Sequence, residues 1–156
     1  MTKNDDIFTG LLAEIKGLTM LDIPRDDRLI NICRLLNEKV LHYNWVGFYL
    51  VDWANKRELI LGPYVGAPTD HVRIPFGKGI CGQAAEREEI FVVDDVTRES
   101  NYLSCSINVK SEIVLPIFRQ GKIIGELDID SHTPAAFTGH DRTFLNSVCE
   151  IVAEII

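Results

Sequence analysis

Long apolar runs, basic patches and closely spaced cysteines are all missing from this chain of 156 residues. The longest uninterrupted apolar stretch, 113–118, is far too short to span a bilayer. The first residues, MTKNDD, carry no apolar segment of the kind that directs secretion, so a cytoplasmic location is expected. Basic residues number 16 against 23 acidic ones, a net charge of −7, and no basic run hides within that balance. Phosphate backbones and anionic lipid surfaces select the opposite sign, so neither nucleic acid nor membrane is an expected partner. The four cysteines, Cys33, Cys81, Cys105 and Cys149, never fall within four residues of one another. This excludes the CxxC spacing of zinc ribbons and thioredoxin-like sites, and four are too few for a disulfide scaffold. His42, His71, His132 and His140 are equally scattered, so no metal site and no cofactor are expected. What the chain does have is a hydrophobic share of 46%, enough for one core, and the expectation is a single domain over 1–156.

Ile7, Phe8, Leu11, Leu12, Ile15 and Leu18 recur at helical spacing and predict a first helix over 5–18. Pro24 suits the first turn of a second, whose stripe is Leu29, Ile30, Cys33, Leu36, Val40 and Leu41. The pattern then turns to strands: 44–51, a turn, 57–61, and a short 72–75 closed by Pro75. A glycine-rich loop over 77–82 leads to a short helix over 84–88, then a strand over 90–93 and a long polar connection over 94–109. Loops of that length in a compact domain usually carry function. The segments 111–118 and 122–131 form the clearest hairpin. Thr138 and Asp141 read as a capping pair for the last helix, whose stripe is Phe144, Leu145, Val148, Cys149, Val152 and Ile155. Tight turns between consecutive strands, with helices segregated to the chain ends, predict an α+β antiparallel architecture. Cys33 and Cys149 lie on apolar stripes and read as core residues.

Three features remain. Residues 77–82, GKGICG, match G-x-G-x-x-G, but the surrounding hairpins are antiparallel and no βαβ unit frames the match, so it reads as a tight turn feeding a helix. Cys81 then lies near that helix's N-terminus, where the dipole lowers a thiol pKa. Cys105 sits in the long polar loop among Ser104, Ser106 and Asn108, exposed to oxidation or simply an incidental surface thiol. On the hairpin, alternation puts Glu126, Asp128 and Asp130 on one face, with Ile123, Leu127 and Ile129 on the other. A two-residue loop, Gln120-Gly121, would pair Ile113 with Asp128 and send Glu112 to the opposite face. A three-residue loop from Arg119 would pair Glu112 with Asp128, and Gly121 supplies the left-handed residue that turn wants last, so it is preferred. Carboxylates gathered this way raise one another's pKa and can bind an ammonium group; alternatively they are a solvated sheet face.

Several segments together resemble the free methionine-(R)-sulfoxide reductases, which are single GAF domains: 44–50 (NWVGFYL), 61–66 (LGPYVG), 72–82 (VRIPFGKGICG), 111–116 (SEIVLP) and 125–131 (GELDIDS). The resemblance spans nearly the whole chain from residue 44. The last two segments are common to GAF domains, and the first three are closer to the reductases. It implies a central antiparallel sheet of about six strands, the N- and C-terminal helices on one face and a loop-roofed pocket on the other. The pocket would hold free methionine sulfoxide or a similar small zwitterion. By position, Trp45 and Tyr49 would form its aromatic wall, and Glu112, Asp128 and Asp130 match the family's pocket carboxylates. Cys105 aligns with the catalytic cysteine and Cys81 with a resolving one.

The implied chemistry is thiolate attack by Cys105 on the sulfoxide, proton donation from a carboxylic acid, a sulfenic acid on Cys105, and resolution by Cys81 to a disulfide. A thioredoxin-like dithiol would reset the pair. Two departures stand out: the family's usual His before and Asp after the catalytic cysteine are replaced in 101–106 (NYLSCS), and its additional resolving cysteine near Ile90 is missing. The alternative is a GAF module that binds a small molecule without turnover, or senses redox state through a Cys81–Cys105 disulfide. The first helix can serve as an interface, and a homodimer is the commonest assembly.

Overall fold

The computed structural model describes residues 3–100, 102 and 107–156. Two helices come first, α1 (Lys3–Thr19) and α2 (Arg25–Lys39). Six strands follow: β1 (Trp45–Val51), β2 (Glu58–Val65), β3 (Arg73–Pro75), β4 (Phe91–Val93), β5 (Ser111–Arg119) and β6 (Lys122–Ser131). Helix α3 (Gly79–Arg87) lies between β3 and β4, and α4 (Gly139–Val152) follows β6. The strands form one antiparallel sheet in the order β3-β2-β1-β6-β5-β4. No described helix is long and apolar enough to cross a membrane.

Period-2 alternation sorts the strand residues between two cores. Val46, Phe48, Ile113, Leu115, Ile117, Leu127 and Ile129 pack against the apolar stripes of α1, α2 and α4, represented by Ile15, Leu29, Ile32, Leu36, Phe144, Leu145 and Val148. Each fully buried side chain of this kind contributes about 1.5–3 kcal/mol, so this layer carries most of the stability. Cys33 and Cys149 belong to it, and burial drives both thiols well above their ordinary range. The opposite face packs Leu59, Ile74, Val93, Val96, Val109 and Val114 against Ile80, Cys81, Ala84 and Ala85 of α3.

Several boundaries differ from the sequence expectation. Strand β2 runs to Val65 rather than stopping at Leu61, because a bulge opposite Phe48 absorbs Gly62 and Pro63 without ending the ladder. Helix α3 starts at Gly79, well before the expected 84, since Gly77 and Gly79 adopt φ of 88° and 61° and turn the chain directly into it. The β5–β6 turn has two residues, not three. Gln120 and Gly121 are both left-handed (φ 52° and 76°), the arrangement whose twist suits a two-residue hairpin. The two-residue loop does not send Glu112 to the other face, because a bulge at Ile124 restores the parity. Glu112 therefore pairs with Asp130 rather than Asp128, and Ile124 rather than Ile123 enters the helix-side core.

The expected capping box of α4 is present. Asp141 Oδ2 accepts from the Thr138 backbone N–H and hydroxyl, each at 2.9 Å, while Asp141 N–H donates to Thr138 Oγ1. The same carboxylate reaches beyond its helix. Tyr43 Oη donates to Oδ1 at 2.7 Å, and His42 Nε2 lies 2.8 Å from it. Burial alone would raise the Asp141 pKa, but the bonds from His42, Tyr43 and Thr138 outweigh it and hold the group at about 2. A folded value below the ordinary 3.8 means stability that is present above that pH and is lost as the pH falls toward 2. Asp141→Asn is expected to cost about 2 kcal/mol at pH 7, and the difference from wild type should shrink below pH 4. Urea unfolding of both proteins at pH 7 and pH 3 checks this; an equal difference at the two pH values would refute it.

Candidate active site

Beneath α3, the sheet presents a face that is acidic and buried. Trp45, Gly47 and Tyr49 of β1 stand opposite Asp130, Asp128 and Glu126 of β6, which in turn stand opposite Glu112, Val114 and Pro116 of β5. The expected sharing of one face by Glu112, Asp128 and Asp130 is present, and the solvated-face alternative fails. Glu112 is 4% exposed and Asp128, Asp130 and Glu126 no more than 1%. Both carboxyl oxygens of Glu126, and Oδ1 of Asp128, have no hydrogen-bond partner among the described residues.

Burial, and then the charge of Asp128 and Asp130, push the Glu112 carboxyl well above the usual carboxylate range. Burial and then Asp128 do the same to Glu126. Asp128 is raised less: burial raises it, while bonds from Glu112 and Cys81 oppose the shift. Burial and mutual repulsion thus favour a proton held within the Glu112–Asp128 pair.

Cys81 is a correction. It lies in the first turn of α3, not on a loop, and is 5% exposed. The helix dipole was expected to lower its pKa. Burial, reinforced by Asp128, Glu112, Glu126 and Asp130, instead raises it well above the ordinary thiol value. Half a unit charge at a helix end does not compensate for desolvation beside four carboxyl groups.

Tyr49, Cys81, Glu112 and Asp128 line a common cavity with His71, Ile74, Lys78, Gly79 and Ile80. Its volume is about 10 Å³, room for about one water. The Tyr49 hydroxyl donates to the His71 carbonyl at 3.0 Å. Trp45 is not among the lining residues. Its ring crosses over Gly47, stacks on Tyr64 with centroids 5.2 Å apart, and donates its indole N–H to the Ala67 carbonyl. Gly47 permits this, since a Cβ there would collide with the Trp45 ring. Cys105 falls outside the described residues.

Residues 24–156 match the family described as GAF domain. The chain belongs to this family. It is 39% identical to a free methionine-R-sulfoxide reductase of Escherichia coli over 81% of this chain and 73% of that one. It is 38% identical to GAF domain-containing protein A of Dictyostelium discoideum, covering 95% and 91% of the two chains. Among solved structures it superposes on the free methionine-R-sulfoxide reductase of Neisseria meningitidis in complex with its substrate. There the TM-score is 0.90 at 35% identity, over 99% of this chain and 90% of that one.

The six-stranded GAF sheet explains the G-x-G-x-x-G match without a nucleotide. The strand before it, β3, is antiparallel to β2 and only three residues long. Gly82 is needed because a Cβ there would strike the Pro75 carbonyl and the Gly77 backbone, so the loop can close against the helix only at a glycine. His71, Ile74, Lys78 and Ile80 were not singled out from sequence; nothing in a short strand and its approach marks them before β3 is seen to fold under the cavity. Metal-ligand spacing was also absent along the chain, yet the fold brings Cys81, Glu112 and Asp128 together, their ligand atoms all within 4.8 Å of one another.

A buried, acid-flanked thiol should be sluggish. Iodoacetamide labelling of Cys81 in the folded protein at pH 7.5 is expected to run at least about tenfold slower than that of a free cysteine peptide. Asp128→Asn should speed it by removing the largest charge opposing the thiolate. Peptide mass spectrometry reads the rates, and labelling faster than the free peptide would mean that the dipole dominates after all.

Proposed function

We propose that the chain is a thiol-dependent reductase of free methionine sulfoxide. The observation that carries this reading is the buried Glu112–Asp128 pair, with raised pKa values, beside Cys81 in a cavity that Tyr49 also lines. Likeness to chains named free methionine-R-sulfoxide reductase supports it.

Reduction of a sulfoxide by a thiol needs a nucleophile for sulfur and an acid for oxygen. The Cys105 thiolate attacks the sulfoxide sulfur while Glu112, kept protonated by burial, gives its proton to the oxygen. Oxygen passes to Cys105 as a sulfenic acid, and methionine leaves. The Cys81 thiol condenses with that sulfenic acid, forming the disulfide and releasing water. A thioredoxin-like dithiol then reduces the disulfide. The direction of the Cys81 shift weighs against Cys81 as the first nucleophile. Asp128 and Asp130 offer acceptors for the substrate ammonium group, and Tyr49 and Trp45 an apolar wall for its thioether end. The cavity has to widen to admit such a molecule. As for its surroundings, the reading places the protein in the cytoplasm, as a homodimer.

The test is consumption of free L-methionine-R,S-sulfoxide with a dithiol. Wild type should consume the R epimer, and Cys105→Ser should fall to background. Glu112→Gln should lose about 100-fold in kcat, as removal of a general acid does. Cys81→Ser, assayed without dithiol, should still form about one methionine per chain. Undiminished turnover by Cys105→Ser would sink the mechanism. Saturable binding of methionine sulfoxide by wild type without any turnover would favour the sensor alternative, which the altered surroundings of Cys105 in 101–106 also favour.

A further inference from the structure

The buried cluster has a property that substrate reduction does not use. Cys81 Sγ and one carboxylate oxygen each from Glu112 and Asp128 form a triangle with no edge longer than 4.8 Å. Ligand atoms held by one tetrahedral ion, with Zn–S about 2.3 Å and Zn–O about 2.0–2.2 Å, stand roughly 3.3–3.6 Å apart. The three side chains are therefore within about an ångström of enclosing such an ion, a distance that torsion adjustments of Glu112 and Asp128 cover. The second observation is independent of the spacing. Asp128 lines the cavity, and its buried Oδ1 has no partner among the described residues. A protein normally satisfies such an atom, and an unsatisfied one at a cavity wall marks the place of a missing ligand. The cavity has room for about one water, which supplies the fourth position that an open three-ligand site requires.

We propose that Cys81, Glu112 and Asp128 form a zinc site with a water as fourth ligand. The donor set selects the metal. A thiolate disfavours Mg²⁺ and Ca²⁺, which demand oxygen ligands in larger number, and a mixed sulfur–oxygen tetrahedron suits Zn²⁺. On binding, the Cys81 thiol and the Glu112 carboxyl release their protons to solvent, and the ion replaces them as the counter-charge to Asp128. No electron moves, and the thiol is held as a zinc thiolate. If the reductase reading holds, on which this consequence alone rests, the ion withdraws the resolving thiol, the proton donor and an ammonium acceptor together. Zinc is then an inhibitor competitive with methionine sulfoxide, and a metal chelator restores turnover.

The experiment measures binding without turnover. Fully reduced, metal-free protein is titrated with Zn²⁺ in competition with a chromophoric chelator, and Co²⁺ is added in a parallel titration to read the thiolate-to-metal charge-transfer band. Wild type should bind one Zn²⁺ per chain and show the band. Cys81→Ser should lose the band, and both Cys81→Ser and Glu112→Gln should weaken Zn²⁺ binding by at least about 100-fold. Cys33→Ser and Cys149→Ser should bind as wild type does. Circular dichroism of each variant separates loss of the site from loss of the fold. Because Glu112→Gln is nearly isosteric, it keeps the test decisive if Cys81→Ser unfolds. Absence of stoichiometric binding, binding that survives both Cys81→Ser and Glu112→Gln, or binding lost on Cys105→Ser alone overturns the proposal. A chain that binds zinc but leaves methionine sulfoxide intact keeps the metal site and loses the reductase reading, and the reverse result does the opposite.

Discussion

Which acids share a face with which thiol depends on the register of β5 against β6. Side chains alternate along a strand, so a slip of one residue exchanges the two faces completely. The two-residue turn at Gln120-Gly121 would by itself place Glu112 among the helices. The bulge at Ile124 adds the missing residue, and Glu112 comes to stand opposite Asp130 and diagonal to Asp128. The same bulge turns Ile113, Leu115 and Ile117 with Leu127 and Ile129 toward α1, α2 and α4. One irregularity therefore sets both the helix-side core and the acidic face. A slip in either direction would bury carboxylates against Phe144 and Leu145 and leave the isoleucines without their helices, so the register is strongly determined.

The acidic face is expensive to build. An isolated carboxylate taken out of water costs several kcal/mol, more than one neighbouring hydrogen bond returns. The upward shift of the Glu112 and Glu126 pKa values is the response to this cost, since it favours the neutral form over a buried charge. The apolar layer on the other side of the sheet offsets the remainder. The proposed site and the main apolar core thus lie on opposite faces of the same strands. Helix α3 completes the arrangement by lying close over the acids, which requires glycine at position 82, where the helix backbone meets the Pro75 carbonyl.

Helices and their stripes were legible in the sequence because period 3.6 and the Thr138–Asp141 capping pair are local signals. The hairpin strands and the common face of Glu126, Asp128 and Asp130 were legible for the same reason, whereas Glu112 was expected on that face through a three-residue turn and reaches it instead through a two-residue turn and a bulge. The pairing of Glu112 was not, because a turn and a bulge each shift it by one residue and the bulge leaves no mark in composition. Where α3 begins was hidden by its glycines, which read as loop although Gly77 and Gly79 serve to turn the chain into the helix. The state of Cys81 was misjudged because the sequence shows only that it lies near a helix N-terminus, not that the helix already includes it or that four carboxyl groups lie beneath it. The same gap hid the Cys81–Glu112–Asp128 triangle, whose members come from a helix and two strands.

Asp128 and Asp141 are both buried aspartates, and their contrast separates a structural acid from a binding one. Asp141 is supplied by the chain itself with donors from Tyr43 and Thr138 and with the His42 ring, so it stays ionised down to about pH 2. Nothing is left for a ligand to provide there. Asp128 is met by Glu112 and Cys81, both acids themselves, and its Oδ1 is left over. Its neighbours donate protons that they could equally surrender. In the proposed readings, a cation entering the cavity, whether the ammonium of a small zwitterion or a divalent ion, would supply what the fold withholds from Asp128 and supplies to Asp141.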